Sequence, residues 1–374
     1  MNIVIALSTT ADLEYPTMGS ERQAVGMGNA LARRGHQVKI VNLLRTVPDW
    51  DRTDLLHLVN AGGPKGPYML AAQIAARQGI PIFCSPVYWP VEELEKELTA
   101  FYGFDAAAEK RNSQQFDEFV LGAAVFWAMS DFLLPNAEGE MTEALKLMRK
   151  QHIEPMKVDA RSWGERYAVI PNAVDLDGEI MPALADRTDL PDRLEDVIAE
   201  RFVLCAARIE VRKNQHRLVE AMEILWRDDP ELQLVLIGQM SEPYVKKFKE
   251  KLDGRNIVIG TPGTARSLFK VMRRASAHCL PSLLETPGLV SLEAAALGVP
   301  VVVSDRGTVK EYLPEGMGGV FYCDPLSPES IAEALRAAVR CESTDEVARH
   351  VRTSFNYDRV GELLDAAYQG VLRR

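Results

Sequence analysis

Two glutamates, Glu285 and Glu293, stand with seven residues between them around a Gly-Leu-Val turn in P-S-L-L-E-T-P-G-L-V-S-L-E-A-A-A-L-G-V-P-V-V-V-S-D, residues 281–305. The pattern predicts a short buried strand over Ala277–Leu280, a loop over Ser282–Pro287, a helix over Gly288–Leu297 and a second strand over Val299–Val303. Glu285 is then on a loop at the carboxyl end of a strand, where open α/β sheets bind ligands. Glu293 lies about a turn and a half into an apolar helix, where a carboxylate is costly to bury without a hydrogen-bond partner. The N–H groups around Gly288–Ser291 leave the helix start unpaired and suit a phosphate. The segment offers an anion cradle between two carboxylates. The plain alternative is two solvated acids at an accidental spacing.

A second segment carries cations. In F-V-L-C-A-A-R-I-E-V-R-K-N-Q-H-R-L-V-E-A-M a buried strand ends at Arg208 and Asn214 is placed as the N-cap of an amphipathic helix. Arg208 and Lys213 then occupy a loop at a strand's carboxyl end. Arginine presents a planar fork to phosphate oxygens and lysine a point charge, so the two can neutralise a diphosphate. Arg212 and Arg217 read as surface cations.

Together these stretches resemble the retaining glycosyltransferases of family 4, strongly over Phe202–Pro325 and more weakly before Ile170. The resemblance implies that Glu285 lies by the donor sugar and Glu293 holds the ribose hydroxyls. It places the backbone of Gly288, Leu289 and Val290 against sugar and phosphate, and Arg208 and Lys213 on the diphosphate. Gly238 and Thr261, at strand ends, would receive the nucleotide through their backbone. Gly19, in M-G-S-E after the first strand, matches part of the family's glycine-rich loop, with Ser20 beside it. Gly26 and Gly28 fall inside a helix, where close helix packing explains them. His57 ends a strand, either as a contact to substrate or as a structural histidine. Tyr88 and Trp89 stand where relatives carry a sugar-contacting histidine, and either stack on a sugar or pack in the core. Asn172 matches the hinge Asn-x-Val-Asp and reads as support for the site. Pro287 replaces the family's usual aromatic residue while still suiting a helix's first turn.

Positioning these residues requires parallel sheets. Apolar β-rich runs alternate with helical patterns throughout. The first set is Ile3–Leu7, Gln37–Val41, Leu55–Val59, Ile80–Cys84, Phe132–Leu134 and Ala168–Ile170. The second is Phe202–Ala206, Leu234–Ile237, Ile257–Ile259, His278–Leu280, Pro300–Val303 and Val320–Cys323. The expected fold is α/β of the GT-B type, two Rossmann-like domains facing a cleft, with a C-terminal helix crossing back to the first. The boundaries read as an acceptor domain over 1–172, a linker over 173–200, a nucleotide-sugar domain over 201–344 and returning helices over 345–374. Val91–Gln115, long and charged, is a candidate acceptor lid.

The 374 residues exceed one ordinary core. A net charge of −10 argues against a nucleic-acid partner. The lysines at 246, 247, 249 and 251 read as a solvated helix face, with peripheral membrane contact as the alternative. Five isolated cysteines show no metal spacing or disulfide framework, and the N-terminal run reads as a strand rather than a signal peptide, so the cytoplasm is expected. Asp175-Leu176-Asp177 falls in the linker, away from any strand end, so no metal and no cofactor is expected.

The resemblance implies a retaining, metal-independent hexosyltransferase. Its co-substrate would be a UDP- or GDP-linked sugar, and its acceptor a glycan, a lipid-linked or a small molecule of the kind built into cell-surface glycans. The alternatives are a nucleotide-sugar epimerase of the same architecture and a catalytically silent scaffold subunit.

Overall fold

A computed structural model describes residues 1–9, 19–59, 66–90, 92–103, 121–152, 166–186, 197–248, 252, 256–261 and 265–373. The chain forms two compact units. One comprises Met1–Pro90, Phe104–Ala173 and Tyr357–Arg374; the other comprises Val91–Gly103 and Val174–Asn356.

The first unit is built on a five-stranded parallel sheet in the order β2-β1-β3-β4-β5. The strands are β1 (Asn2–Leu7), β2 (Gln37–Asn42), β3 (Leu55–Val59), β4 (Ile82–Ser85) and β5 (Phe132–Leu133). Successive β1 side chains point to opposite faces, and each face has its own core. Ile3, Ile5 and Leu7 pack with Ala24, Met27 and Leu31 of the first helix, Gly19–Arg33, and with Val360, Leu364 and Tyr368 of the last, Tyr357–Leu372. Val4 and Ala6 pack on the other side with Tyr68, Phe126 and Trp127. The first and last helices touch through small residues. A Cβ on Gly26 would stand 1.9 Å from the Tyr357 ring, and one on Gly361 would stand 3.0 Å from Ala30.

Ala168–Ile170 is not a strand. Tyr167 makes one isolated parallel bridge to Leu133. Ala168 and Ile170 donate to the carbonyls of Leu133 and Pro135. Pro135 has no N–H with which to return the intervening ladder bond, so pairing stops there.

The second unit carries a six-stranded parallel sheet, β11-β10-β9-β6-β7-β8. Its strands are β6 (Phe202–Ala206), β7 (Gln233–Ile237), β8 (Ile257–Gly260), β9 (Ala277–Leu280), β10 (Val301–Ser304) and β11 (Val320–Cys323). From β6 the chain winds outward through β7 and β8, then returns to β6's other side at β9 and winds the opposite way. Strand order therefore reverses between β6 and β9, and crevices at such reversals are where open α/β sheets take ligands.

Two segments differ from the sequence boundaries. The helix Asp345–Ser354 belongs to the second unit, because Arg352 Nε donates to the Ala296 carbonyl at 2.7 Å and Thr344 Oγ1 to that of Gly298 at 2.7 Å. Only Tyr357 onward joins the first unit. The helix Glu92–Tyr102 also belongs to the second unit. Phe101 lies among the His216, Tyr244 and Tyr102 rings at 4.9–5.1 Å, and Glu97 pairs with Arg217 at 2.7 Å. Val91 and residues 104–115 of the candidate lid lie outside the described residues. The chain enters the second unit at Val174 and leaves it at Asn356, and these two residues form a parallel bridge.

Candidate active site

The site is assembled at the reversal between β6 and β9. After β6 the chain runs beside the exit of β7, where Ala207 N–H donates to the Ile237 carbonyl. A Cβ on Gly238 would stand 1.8 Å from the Ala207 carbonyl oxygen, so only glycine permits this approach. A short 3-10 turn, Val211–Lys213, follows. Asn214 comes next, in the left-handed region at φ 63°.

Asn214 does not cap the helix Gln215–Leu225 with its side chain, contrary to the sequence expectation. Its Nδ2 donates to the Pro281 and Pro325 carbonyls at 2.9 and 2.7 Å, and its Oδ1 accepts from Arg217 at 3.2 Å. Proline carbonyls just beyond β9 and β11 thus compete successfully for the amide. Leu283 N–H donates to the Arg212 carbonyl at 2.9 Å. The lysine-bearing turn is stitched to the loop carrying Glu285.

Across that seam Lys213 Nζ and Glu285 Oε2 form an ion pair, both residues being buried. Ser282 Oγ donates to the same oxygen at 3.1 Å. Arg212 stands 3.8 Å from Glu285 Oε1 and donates to the Leu284 carbonyl at 3.2 Å. Burial depresses the Lys213 ammonium below the ordinary lysine range, with Glu285 opposing the shift. Burial alone would raise the Glu285 carboxyl; Lys213 and then Arg212 outweigh it and hold the group below the usual carboxylate range. Opposite charges in direct contact favour the ionised pair.

Glu293 is buried at the fifth position of the helix Leu289–Ala296. That helix begins after Gly288, at φ 87°, where a Cβ would meet Glu285 Cγ at 2.8 Å. Among the described residues, no hydrogen bond leaves the N–H groups of Leu289 and Val290 at its start.

The other expected residues are placed differently. Arg208 is 54% exposed and pairs with Glu210 at 3.2 Å, away from the Lys213–Glu285 pair. Arg212, read from sequence as a surface cation, stands nearer. That Arg212 turns inward, and not Arg208 four residues before it, depends on the 3-10 turn, which sequence spacing does not specify. Thr261 is exposed just past β8, two strands from the reversal.

In the first unit, Gly19 is the first residue of its helix, and the loop before it lies outside the described residues. His57 is wholly buried, bonded through Nε2 to Ser85 Oγ at 2.9 Å and through Nδ1 to Tyr368 Oη at 2.8 Å. Burial pushes its pKa down to about 3. The structural alternative for His57 is the one observed. Tyr88 is buried edge-on to Trp127 at 5.1 Å, which is core packing. Asn172 is half-buried beside Ala173, whose N–H and carbonyl are both bonded to the Gln23 amide.

Two all-parallel sheets with these strand orders define a fold of the GT-B class. Sucrose-phosphate synthase (tll1590) from Thermosynechococcus elongatus matches with a TM-score of 0.72 over 100% of both chains at 15% identity. Anabaena HepE, solved with UDP-glucose, matches at 0.72 over 99% of this chain and 100% of that one, at 14% identity. These likenesses establish the fold. Residues 186–353 match the family model Glycosyl transferases group 1. It is 30% identical over 223 residues to the D-inositol 3-phosphate glycosyltransferase of Xylanimonas cellulosilytica, covering 56% of this chain and 53% of that protein. The counterpart from Actinosynnema mirum is also 30% identical, over 67% of this chain and 60% of that protein. The chain spans about half the length of the curated relatives it matches.

Proposed function

We propose that this protein is a retaining glycosyltransferase that moves a hexose from a nucleoside-diphosphate sugar to a hydroxyl of a glycan, lipid-linked or small-molecule acceptor, without a metal ion. The observation that carries the reading is the buried Lys213–Glu285 pair at the sheet reversal, beside the unbonded N–H groups at the start of Leu289–Ala296. A diphosphate arriving there competes with the Glu285 carboxylate for the Lys213 ammonium. The exchange puts the cation on the leaving group and frees the carboxylate for the sugar. When the bond from the anomeric carbon to the diphosphate oxygen breaks, its electron pair leaves with the diphosphate. Lys213, a nearby arginine (Arg212 or Arg208) and the helix-start N–H groups stabilise that charge. The acceptor oxygen forms the new bond and gives its proton to the departing diphosphate oxygen. Glu293 is assigned to the ribose hydroxyls. The names of relatives support a nucleotide-sugar donor, since HepE was solved with UDP-glucose.

The test is a panel of UDP- and GDP-sugars without acceptor, with and without EDTA, read as release of nucleoside diphosphate and by calorimetry with UDP and GDP. Release should persist in EDTA. Glu285→Gln should retain or tighten binding of the bare diphosphate, because Lys213 no longer has to change partner, while turnover falls by ~10²-fold or more. Glu293→Gln should weaken diphosphate binding. If wild-type protein neither binds nor cleaves any member of the panel, a scaffold role replaces the enzyme reading.

A further inference from the structure

Two buried hydroxyls close to this site have no hydrogen-bond partner among the described residues. Ser291 Oγ and Thr308 Oγ1 belong to residues 1% and 2% exposed, and neither bonds to anything. A buried hydroxyl left unpaired costs stability, so a native fold holds one where something else completes it. Both flank the same short stretch of chain. Ser291 is the third residue of the helix Leu289–Ala296, and its own N–H already donates to the Gly288 carbonyl at 2.9 Å. Side chains on a helix lean toward its N-terminus, so this hydroxyl leans toward the unbonded N–H groups of Leu289 and Val290.

Thr308 comes from the turn after β10. Its N–H donates to the Glu285 carbonyl at 3.3 Å. Gly307, at φ 81°, presses so close that a Cβ there would stand 2.0 Å from the same oxygen. The turn bearing Thr308 is therefore locked onto the loop that carries Glu285.

We propose that Ser291 and Thr308 are donor-binding residues, Ser291 Oγ donating to a diphosphate oxygen at the helix start and Thr308 Oγ1 bonding a sugar hydroxyl beside Glu285. This rests on the donor-site reading above and adds a recognition role that the two glutamates and the cations do not fill. A hydroxyl reserved for a ligand has a distinctive signature. Its removal leaves the empty protein as stable as before, or more stable, while binding weakens.

Ser291→Ala and Thr308→Val delete the hydroxyls at nearly constant shape. Their ligand-free melting temperatures should equal or exceed wild type. Ser291→Ala should weaken UDP or GDP binding, whichever wild type binds, by about ten- to a hundredfold, the loss of one hydrogen bond to a charged group. Thr308→Val should bind the bare diphosphate like wild type. It should lose about fivefold or more of the extra affinity and turnover that the attached sugar provides. A lowered ligand-free melting temperature, with or without a matching loss of affinity, would assign the hydroxyls to structure and overturn the proposal. So would unchanged affinity and turnover in both variants. Wild-type protein that binds neither UDP nor GDP would remove the donor site itself, and the proposal with it.

Discussion

At the scale of single residues, the decisive feature is that Lys213 and Glu285 are buried in contact and depend on each other. Breaking such a pair costs more than replacing it whole, because the survivor is a buried charge that has lost its nearest opposite charge. Lys213→Met should therefore destabilise the protein by about 3–5 kcal/mol as well as abolish turnover. Lys213→Met combined with Glu285→Gln should return to within about 1 kcal/mol of wild type in denaturant unfolding, and remain inactive. A double variant no more stable than the single one would show that the pair contributes no coupling. Both residues were legible in the sequence, since each follows an apolar strand run that ends in polar residues. Arg212 and the unpaired hydroxyl of Thr308 were not legible. Their roles come from a 3-10 turn and from contacts across 72 residues or more of sequence, such as Arg212 with Leu284, or across separate loops, as where Thr308 meets Glu285.

At the scale of elements, strands buried on both faces announced themselves as unbroken apolar runs, and eleven of the twelve expected runs coincide with a strand to within two residues at either end. The residue that sequence could not place was His57, because only the last helix, more than 300 residues away, explains its burial. His57 and His278 both lie in strands, and burial holds each near pKa 3 against about 6.5 when exposed. Between those values the unfolded chain binds the proton and the folded protein does not. Stability is therefore full above pH 6.5 and falls as pH drops through that window. Each histidine should cost about 1.4 kcal/mol at pH 5.5 relative to neutral pH. The stability that Glu285, held low, contributes is present throughout this interval and is lost only as pH falls below the ordinary carboxylate range. Denaturant titrations at pH 7.5 and 5.5 check this, with His278→Leu expected to remove about half of the loss. Stability independent of pH over that interval would contradict the neutral, buried state of both rings.

At the scale of the whole molecule, the first unit is closed by a helix from the far end of the sequence. Tyr357 packs on Gly26, Tyr368 bonds His57, and Val360 and Leu364 fill the core under β1. A chain ending at Asn356 should show faster amide exchange in β1–β5 while β6–β11 keep their protection, and a peptide of residues 357–374 added in trans should restore the slow exchange. Uniform protection in the shortened chain would deny the helix that role. The same arrangement bears on how the protein is made. Residues 174–356 belong to the second unit and are translated between the last two pieces of the first. At about 5–20 residues per second that interval lasts roughly 10–40 s. Throughout it Ile3, Ile5, Ala24 and Met27 lack the helix that covers them, a nascent apolar face of the kind chaperones recognise. The unit translated first is thus the one finished last, and the growing chain is at its most vulnerable while the candidate site is already taking shape.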